Sequence, residues 1–270
     1  MSNPLDPALS AERIDVFDRV LVEMDGTPES LVAAAQAKCL VVPDGELELL
    51  SVVERAAAAH AGVAAAFAAD ADEAETAAAL EHARNLLEPT SVRFVSGRAR
   101  DTLLAEAAAV QATLVAVGLH RHGRRTAKLF GTLDAAVLRE APCSVLISRP
   151  GWGVTKPKVI VVGIDGSAES ELAKRAAQAL AERLGTELRV VIALGGKPLD
   201  ESVFAPENAG SLIDPRDPPA ALATDASECD LVVIGHRGAH GAAKLGRVGE
   251  RVVYAARSSV LVVRPSAQQG

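Results

Sequence analysis

The chain has 270 residues, 49% of them hydrophobic but only 3% aromatic, and carries a formal net charge of −7. That is enough apolar material for one large α/β unit or two small ones, with Val, Leu and Ile filling the cores under Ala-rich helices. The negative charge argues against broad binding to nucleic-acid phosphates or anionic lipid. No apolar run reaches the length of a membrane span, and residues 1–11 lack the basic start and apolar stretch of a secretory signal, so a cytoplasmic setting is expected.

In chain order, residues 19–24 form a short apolar run that predicts a buried strand, ending at Asp25-Gly26-Thr27 and followed by a helical pattern. A second strand is predicted over 47–53, a long helical region over 54–88, and a third strand over 92–96 that stops at Gly97. The apolar run 112–118 predicts a fourth strand ending at Gly118. After a basic loop, Gly131-Thr132 opens the last helix with the threonine as N-cap, and 144–148 predicts a fifth strand closed by Arg149-Pro150. Residues 149–158 hold two prolines, two glycines and no apolar periodicity, which places a linker at 151–158.

The pattern then repeats. Residues 159–164 lead into Asp165-Gly166-Ser167, a second strand is predicted over 187–194, 229–235 ends at Gly235, and 259–263 is closed by Arg264-Pro265. Where the first half has its long helical region, the second has a Gly-, Pro- and Asp-rich stretch over 195–217, read as an irregular loop with a short third strand at 211–214. The expected architecture is α/β: two Rossmann-like domains, 1–150 and 159–270, each a five-stranded parallel sheet with helices on both faces and right-handed crossovers, the second shortened and degenerate. Cys39, Cys143 and Cys229 are scattered and odd in number, which fits reduced, buried, small hydrophobes.

In an open parallel sheet, ligands bind beyond the carboxyl ends of the strands where strand order reverses. Asp25, Val52, Gly97 and Gly118 fall at such ends, and the helix start at Gly131-Thr132 offers backbone N–H groups suited to phosphate. Arg121, Arg124, Arg125 and Lys128 in the loop, with Arg98 and Arg100 nearby, place positive charge at this edge of an acidic chain. A ligand-seeking cluster and a solvated helix face remain alternative readings of those charges. Three competing patterns fail: Gly118-x4-Gly123 is followed by Arg-Arg-Thr rather than the Lys-Ser/Thr of a phosphate loop, His120 and His122 lack further ligands at metal spacing, and Gly-x-Ser-x-Gly is absent.

These residues resemble the universal stress protein family, twice over, across nearly the whole chain. Its nucleotide-binding members carry a loop G-x2-G-x9-G-[S/T] before the last helix. Here the loop runs Gly118-Leu-His-Arg121, nine residues, then Gly131-Thr132, with Arg121 in place of the second glycine. The resemblance implies an adenine nucleotide, ATP with Mg, in the first half. Asp25 would line the crevice, the backbone at Val52 would meet adenine, and Gly118, Gly131, Thr132 and Leu133 would cradle phosphate, with Gly97 at the neighbouring strand end and the Arg121 guanidinium bonding phosphate. Glu23, where the family often has glycine, is a departure. In the second half only seven residues separate Gly238 from Gly246, and Arg247 replaces the hydroxyl, so no ATP is expected there. The resemblance further implies that the two halves imitate a dimer, 144–148 running antiparallel to 259–263, and it leaves a further homodimer open. No base is placed for catalysis, so any ATP hydrolysis would be slow and incidental. Two other expectations stand beside this one: a nucleotide-free dimerising scaffold, and a site for another small anion such as cyclic AMP.

Overall fold

A computed structural model describes residues 16–53, 63–119, 132–152, 155–196, 210–225, 229–236 and 246–265; within helices it describes the backbone alone at 63–73, 132, 134, 223–225 and 247. The leading half runs β1 (Arg19–Glu23), α1 (Pro28–Leu40), β2 (Glu46–Val53), α2 (Val63–Leu87), β3 (Ser91–Ser96), α3 (Ala99–Ala109), β4 (Leu114–Gly118), α4 (Thr132–Glu140) and β5 (Ser144–Ser148). The trailing half runs β6 (Val159–Ile164), α5 (Ala168–Leu184), β7 (Glu187–Ala193), β8 (Leu212–Asp214), α6 (Pro218–Asp225), β9 (Leu231–Gly235), α7 (Arg247–Ala255) and β10 (Ser259–Val263).

Helices α1 and α5 start alike because their sequences do. Thr27 and Ser167 each accept the backbone N–H of the residue three positions on, Ser30 and Ser170, at 3.2 Å, which satisfies one of the orphan donors of the first turn. Pro28 stands in the first turn of α1, where its missing N–H does no harm. Gly185, in the left-handed region at φ +57°, stops α5, and Lys156 donates to the exposed carbonyls of Leu184 and Gly185 at 2.6 and 2.9 Å.

All ten described strands lie in one sheet, in the order β3-β2-β1-β4-β5-β10-β9-β6-β7-β8. Every pairing within a half is parallel, and the two halves meet through an antiparallel pair, Leu146 opposite Leu261 at its centre. The antiparallel joint was expected, and its consequence is that the two five-stranded layers fuse into one continuous ten-stranded sheet. The reason is edge chemistry. β5 and β10 are buried at every position, and neither could be left unpaired without stranding a row of N–H and C=O groups.

The joint is clamped reciprocally. Arg149, just past β5, donates to the carbonyl of Val253 in the last turn of α7 and to that of Ser258 in the turn before β10, and Arg264, just past β10, donates to those of Leu138 and Ala141 at the end of α4. Each buried guanidinium therefore caps the negative end of a helix in the other half. Gln36 of α1, fully buried, donates to the carbonyls of Arg149 and Trp152 and accepts from the hydroxyls of Ser148 and Ser259 at 2.7 to 2.8 Å. Arg183 of α5 donates to the carbonyls of Leu40 and Val41 at the end of α1. One core, under α1, α2 and α5, and a second, under α3, α4, α6 and α7, each include residues from both halves. None of the three cysteines is in a disulfide; Cys143 and Cys229 are buried as expected, whereas Cys39 is only half-buried. No helix among the described residues is long and apolar enough to cross a membrane.

Candidate ligand crevices

Strand order reverses between β1 and β4 in the leading half and between β6 and β9 in the trailing half, so each half has its own switch point. In the leading half Asp25 follows β1 and is exposed. Its Oδ1 accepts the backbone N–H of Thr27 at 3.0 Å and the Thr27 hydroxyl at 2.6 Å, a local turn bond that fixes the entry to α1. Gly26 between them has φ +87°, and a side chain there would meet α2 at Thr76, 2.9 Å away; the Thr76 hydroxyl donates to the Asp25 carbonyl at 3.1 Å. Helix α2 therefore lies against the Asp25 turn.

Gly118 ends β4 against the first turn of α1. A Cβ there would sit 2.5 to 2.7 Å from the backbone of Glu29 and Ser30, so glycine is demanded by packing at this junction, whatever else approaches it. Val52 is half-buried on β2, Gly97 follows β3 beside Thr102, and Leu133 is half-buried in the first turn of α4, which opens at Thr132. Asp25, Val52, Gly97, Gly118, Thr132 and Leu133 all belong to the carboxyl ends of strands or to the helix start that follows one. Arg121 and Gly131 lie outside the described residues, as do His120, His122, Arg124, Arg125 and Lys128. Arg100 departs from the expected anion-seeking cluster: it is ion-paired with Glu140 at 2.6 Å, which raises its pKa further through that hydrogen bond. Glu23, the last residue of β1, is buried at 3% exposure opposite Leu50.

The trailing half repeats the frame. Asp165 Oδ1 accepts from the Ser167 backbone at 3.1 Å and its hydroxyl at 2.6 Å, and Gly235 meets the Glu169 carbonyl as Gly118 meets that of Glu29. The floor differs. Gly163 stands in the register position of Glu23, opposite Val191 as Glu23 stands opposite Leu50, and the position equivalent to Val52 is Ala193. The floor there carries a hydrogen instead of a carboxylate, and no described atom lies within 4 Å of a Cβ at Gly166, where Gly26 meets α2. A cavity of about 300 Å³ opens between β6, β7 and β9 and the starts of α5, α6 and α7. Its walls include Val191, Leu222, Ile234, Val248 and Val252, with Asp165 and Glu169 among its polar members. Sequence reasoning missed this cavity, although the Glu23 and Gly163 contrast was its signal.

Beside it His236, where the leading half has Leu119, is buried and held by its backbone N–H to the Val263 carbonyl. Burial, reinforced by the Arg264 guanidinium and opposed by Glu169, pushes its pKa down to about 4, so the ring is neutral at physiological pH. Burial likewise lowers Arg264 to about 10 and raises the Cys143 thiol to about 12, leaving an unreactive cysteine.

A ten-stranded α/β sheet made of two switch-point halves joined back to back defines a class: tandem Rossmann-like proteins with a crevice at each switch point. Comparison narrows it. The model of the universal stress protein family matches residues 17–149 and 205–264, well over half of the chain, and the protein belongs to that family. It is 32% identical over 185 residues to universal stress protein Rv2623 of Mycobacterium tuberculosis, and 30% identical over 188 residues to universal stress protein Rv2005c of the same species. Those matches cover 57% and 58% of this chain but only 62% and 63% of the relatives' lengths. Among solved structures, a universal stress protein from Archaeoglobus fulgidus shares the fold over 93% of this chain and 97% of its own, with a TM-score of 0.69 at 16% identity.

Proposed function

We propose that this universal stress protein binds an adenine nucleotide, ATP with magnesium, in the crevice of its leading half, and that it serves as a nucleotide-responsive stress protein rather than a catalyst. The observation that supports this reading best is the gathering of Asp25, Val52, Gly97 and Gly118 at strand ends around one switch point, with the first turn of α4 at Thr132 and Leu133 following β4. An adenine would lie along the backbone at Val52, while phosphates would take the N–H groups at the start of α4 and the Arg121 guanidinium. Magnesium, a hard cation that takes oxygen ligands, would enter with the phosphates and would neutralise part of their charge, with no cage of protein ligands needed. The proposed chain organisation, domains 1–150 and 159–270 about a linker at 151–158, gives this site to the first domain.

Calorimetric titration of the full chain with ATP and magnesium tests the reading. Gly131→Asp, which sets a carboxylate at the helix start, should weaken binding at least tenfold, and Gly246→Asp should leave it unchanged; an affinity indifferent to Gly131→Asp rejects the leading site. A parallel titration with cyclic AMP asks whether a smaller anion is preferred.

A second reading, a nucleotide-free pairing scaffold, is favoured by one observation. The Glu23 carboxylate is buried at the end of β1, on the floor of the crevice, where it opposes phosphate and fills space that the trailing half leaves open. Absence of any ATP heat from the unmodified chain, with the β5–β10 joint intact, selects it.

A further inference from the structure

The trailing cavity calls for a different occupant. It is mainly apolar, walled by Ile164, Val191, Leu222, Ile234 and Val252 and rimmed by Val248, which is 47% exposed. At about 300 Å³ it stands at the small end of ligand sites, the size of a ring system without a phosphate tail. Three of its polar members, Asp165, Ser167 and Ser170, are occupied with one another. The Ser167 hydroxyl donates to Asp165 and accepts from the Ser170 backbone, and the Ser170 hydroxyl donates to the Ser167 carbonyl and accepts from the Asp165 backbone. None of the described residues lining the cavity is cationic, and two of them, Asp165 and Glu169, are carboxylates. An anion entering here would meet the uncapped N–H groups at the start of α7 but no cationic side chain from that lining, and would lose its hydration against methyl groups, whereas an uncharged ring would exchange water for those methyl groups.

We propose that the trailing half is a second binding site, for an uncharged, largely apolar ring compound of one or two fused rings, chemically distinct from the nucleotide assigned to the leading half. Gly163 makes the site. It stands where the leading half has Glu23, and the space above it is bounded by Leu222, whose methyl would lie 2.7 Å from a Cβ at that position. In the leading half a buried carboxylate occupies the matching floor, and α2 lies against the turn beside it.

The test uses the full chain and indole as the probe, an uncharged fused ring that fits the volume. In methyl-labelled protein, indole should shift the resonances of Ile164, Leu222 and Val252 with a Kd of about millimolar, as expected for a small uncharged fragment. Val248→Asp, a change on the exposed rim at the start of α7 where an acidic residue suits the helix, should weaken indole at least tenfold with the rest of the methyl spectrum unchanged. Gly163→Glu, which transplants the leading floor, should abolish the shifts. Because that variant risks misfolding, the rim variant is the deciding one. Gly131→Asp should leave indole binding untouched, which keeps this site's fate separate from that of the nucleotide site. No indole-dependent shift in the unmodified protein, shifts insensitive to Val248→Asp, or displacement of indole by equimolar ATP with magnesium would each overturn the proposal, the last by making the cavity a nucleotide site.

Discussion

The two crevices share a frame and differ in their contents. Both turns bond identically, Asp25 to Thr27 and Asp165 to Ser167, and both fourth strands end in a glycine pressed against a helix start. Yet at one register position the leading half buries a carboxylate and the trailing half has a hydrogen, and among the described residues only the leading half lays a long helix against its turn. Duplication has kept the residues that hold strand to helix and released those that decide what fits between them. The shared residues therefore hold the frame in both halves, and the crevices differ in shape and charge at the positions that are not shared.

The largest expected effects fall on the joint, the part both halves must share. Arg149→Ala and Arg264→Ala each strand two carbonyls in or after the last turn of a helix belonging to the other half, and each should cost about 3 kcal/mol in urea unfolding. If the clamp is truly reciprocal the two losses will agree within about 1 kcal/mol, given the spread of such measurements. A silent Arg149→Ala would show that the halves are held unequally.

Acid should separate the halves next. His236 is neutral and buried with a pKa near 4, against 6.5 for a free histidine, so the unfolded chain takes up its proton first as pH falls. Stability is full above about pH 6.5, declines through the interval, and stops responding to this group below about 4, a total of about 3 kcal/mol at most. His236→Leu, which copies Leu119 of the leading half, should flatten that part of the curve while carboxylate titration persists; an unchanged pH profile would place the acid sensitivity elsewhere.

The frame was legible in the sequence because it is carried by local signals that repeat: an apolar run, Asp-Gly-Ser/Thr, and a glycine closing the fourth strand. The short third strand of the trailing half was also readable, at 212–214. The long-range consequences were less so. Nothing near Gln36 in the sequence marks it as the residue that ties the linker and both last strands, since its four partners lie at 148, 149, 152 and 259. The same holds for Arg100, whose charge suggested an anion site until Glu140, forty residues on, was brought beside it. The cavity could not be read from any single residue, because it needs a glycine at the floor, an open turn at Gly166, and walls drawn from six separate elements. Gln36→Leu measures what was hidden: with Ala176 at the equivalent place in α5, the change should cost about 2 kcal/mol and loosen the joint without touching either crevice.

The smallest effects are the most discriminating for function. Thr27→Ala and Ser167→Ala remove equivalent N-caps and should each cost about 1 kcal/mol, the same in both halves. Asp25→Asn and Asp165→Asn keep an oxygen that accepts the same turn bonds, so their stability changes should stay within about 0.5 kcal/mol. If Asp25 only shapes its turn, as the bond it shares with Asp165 allows, ATP affinity will ignore both asparagines. If it also meets the nucleotide, Asp25→Asn will change ATP affinity while Asp165→Asn leaves it alone, and that inequality between two residues with matching turn geometry can come only from a ligand present in one half and not the other.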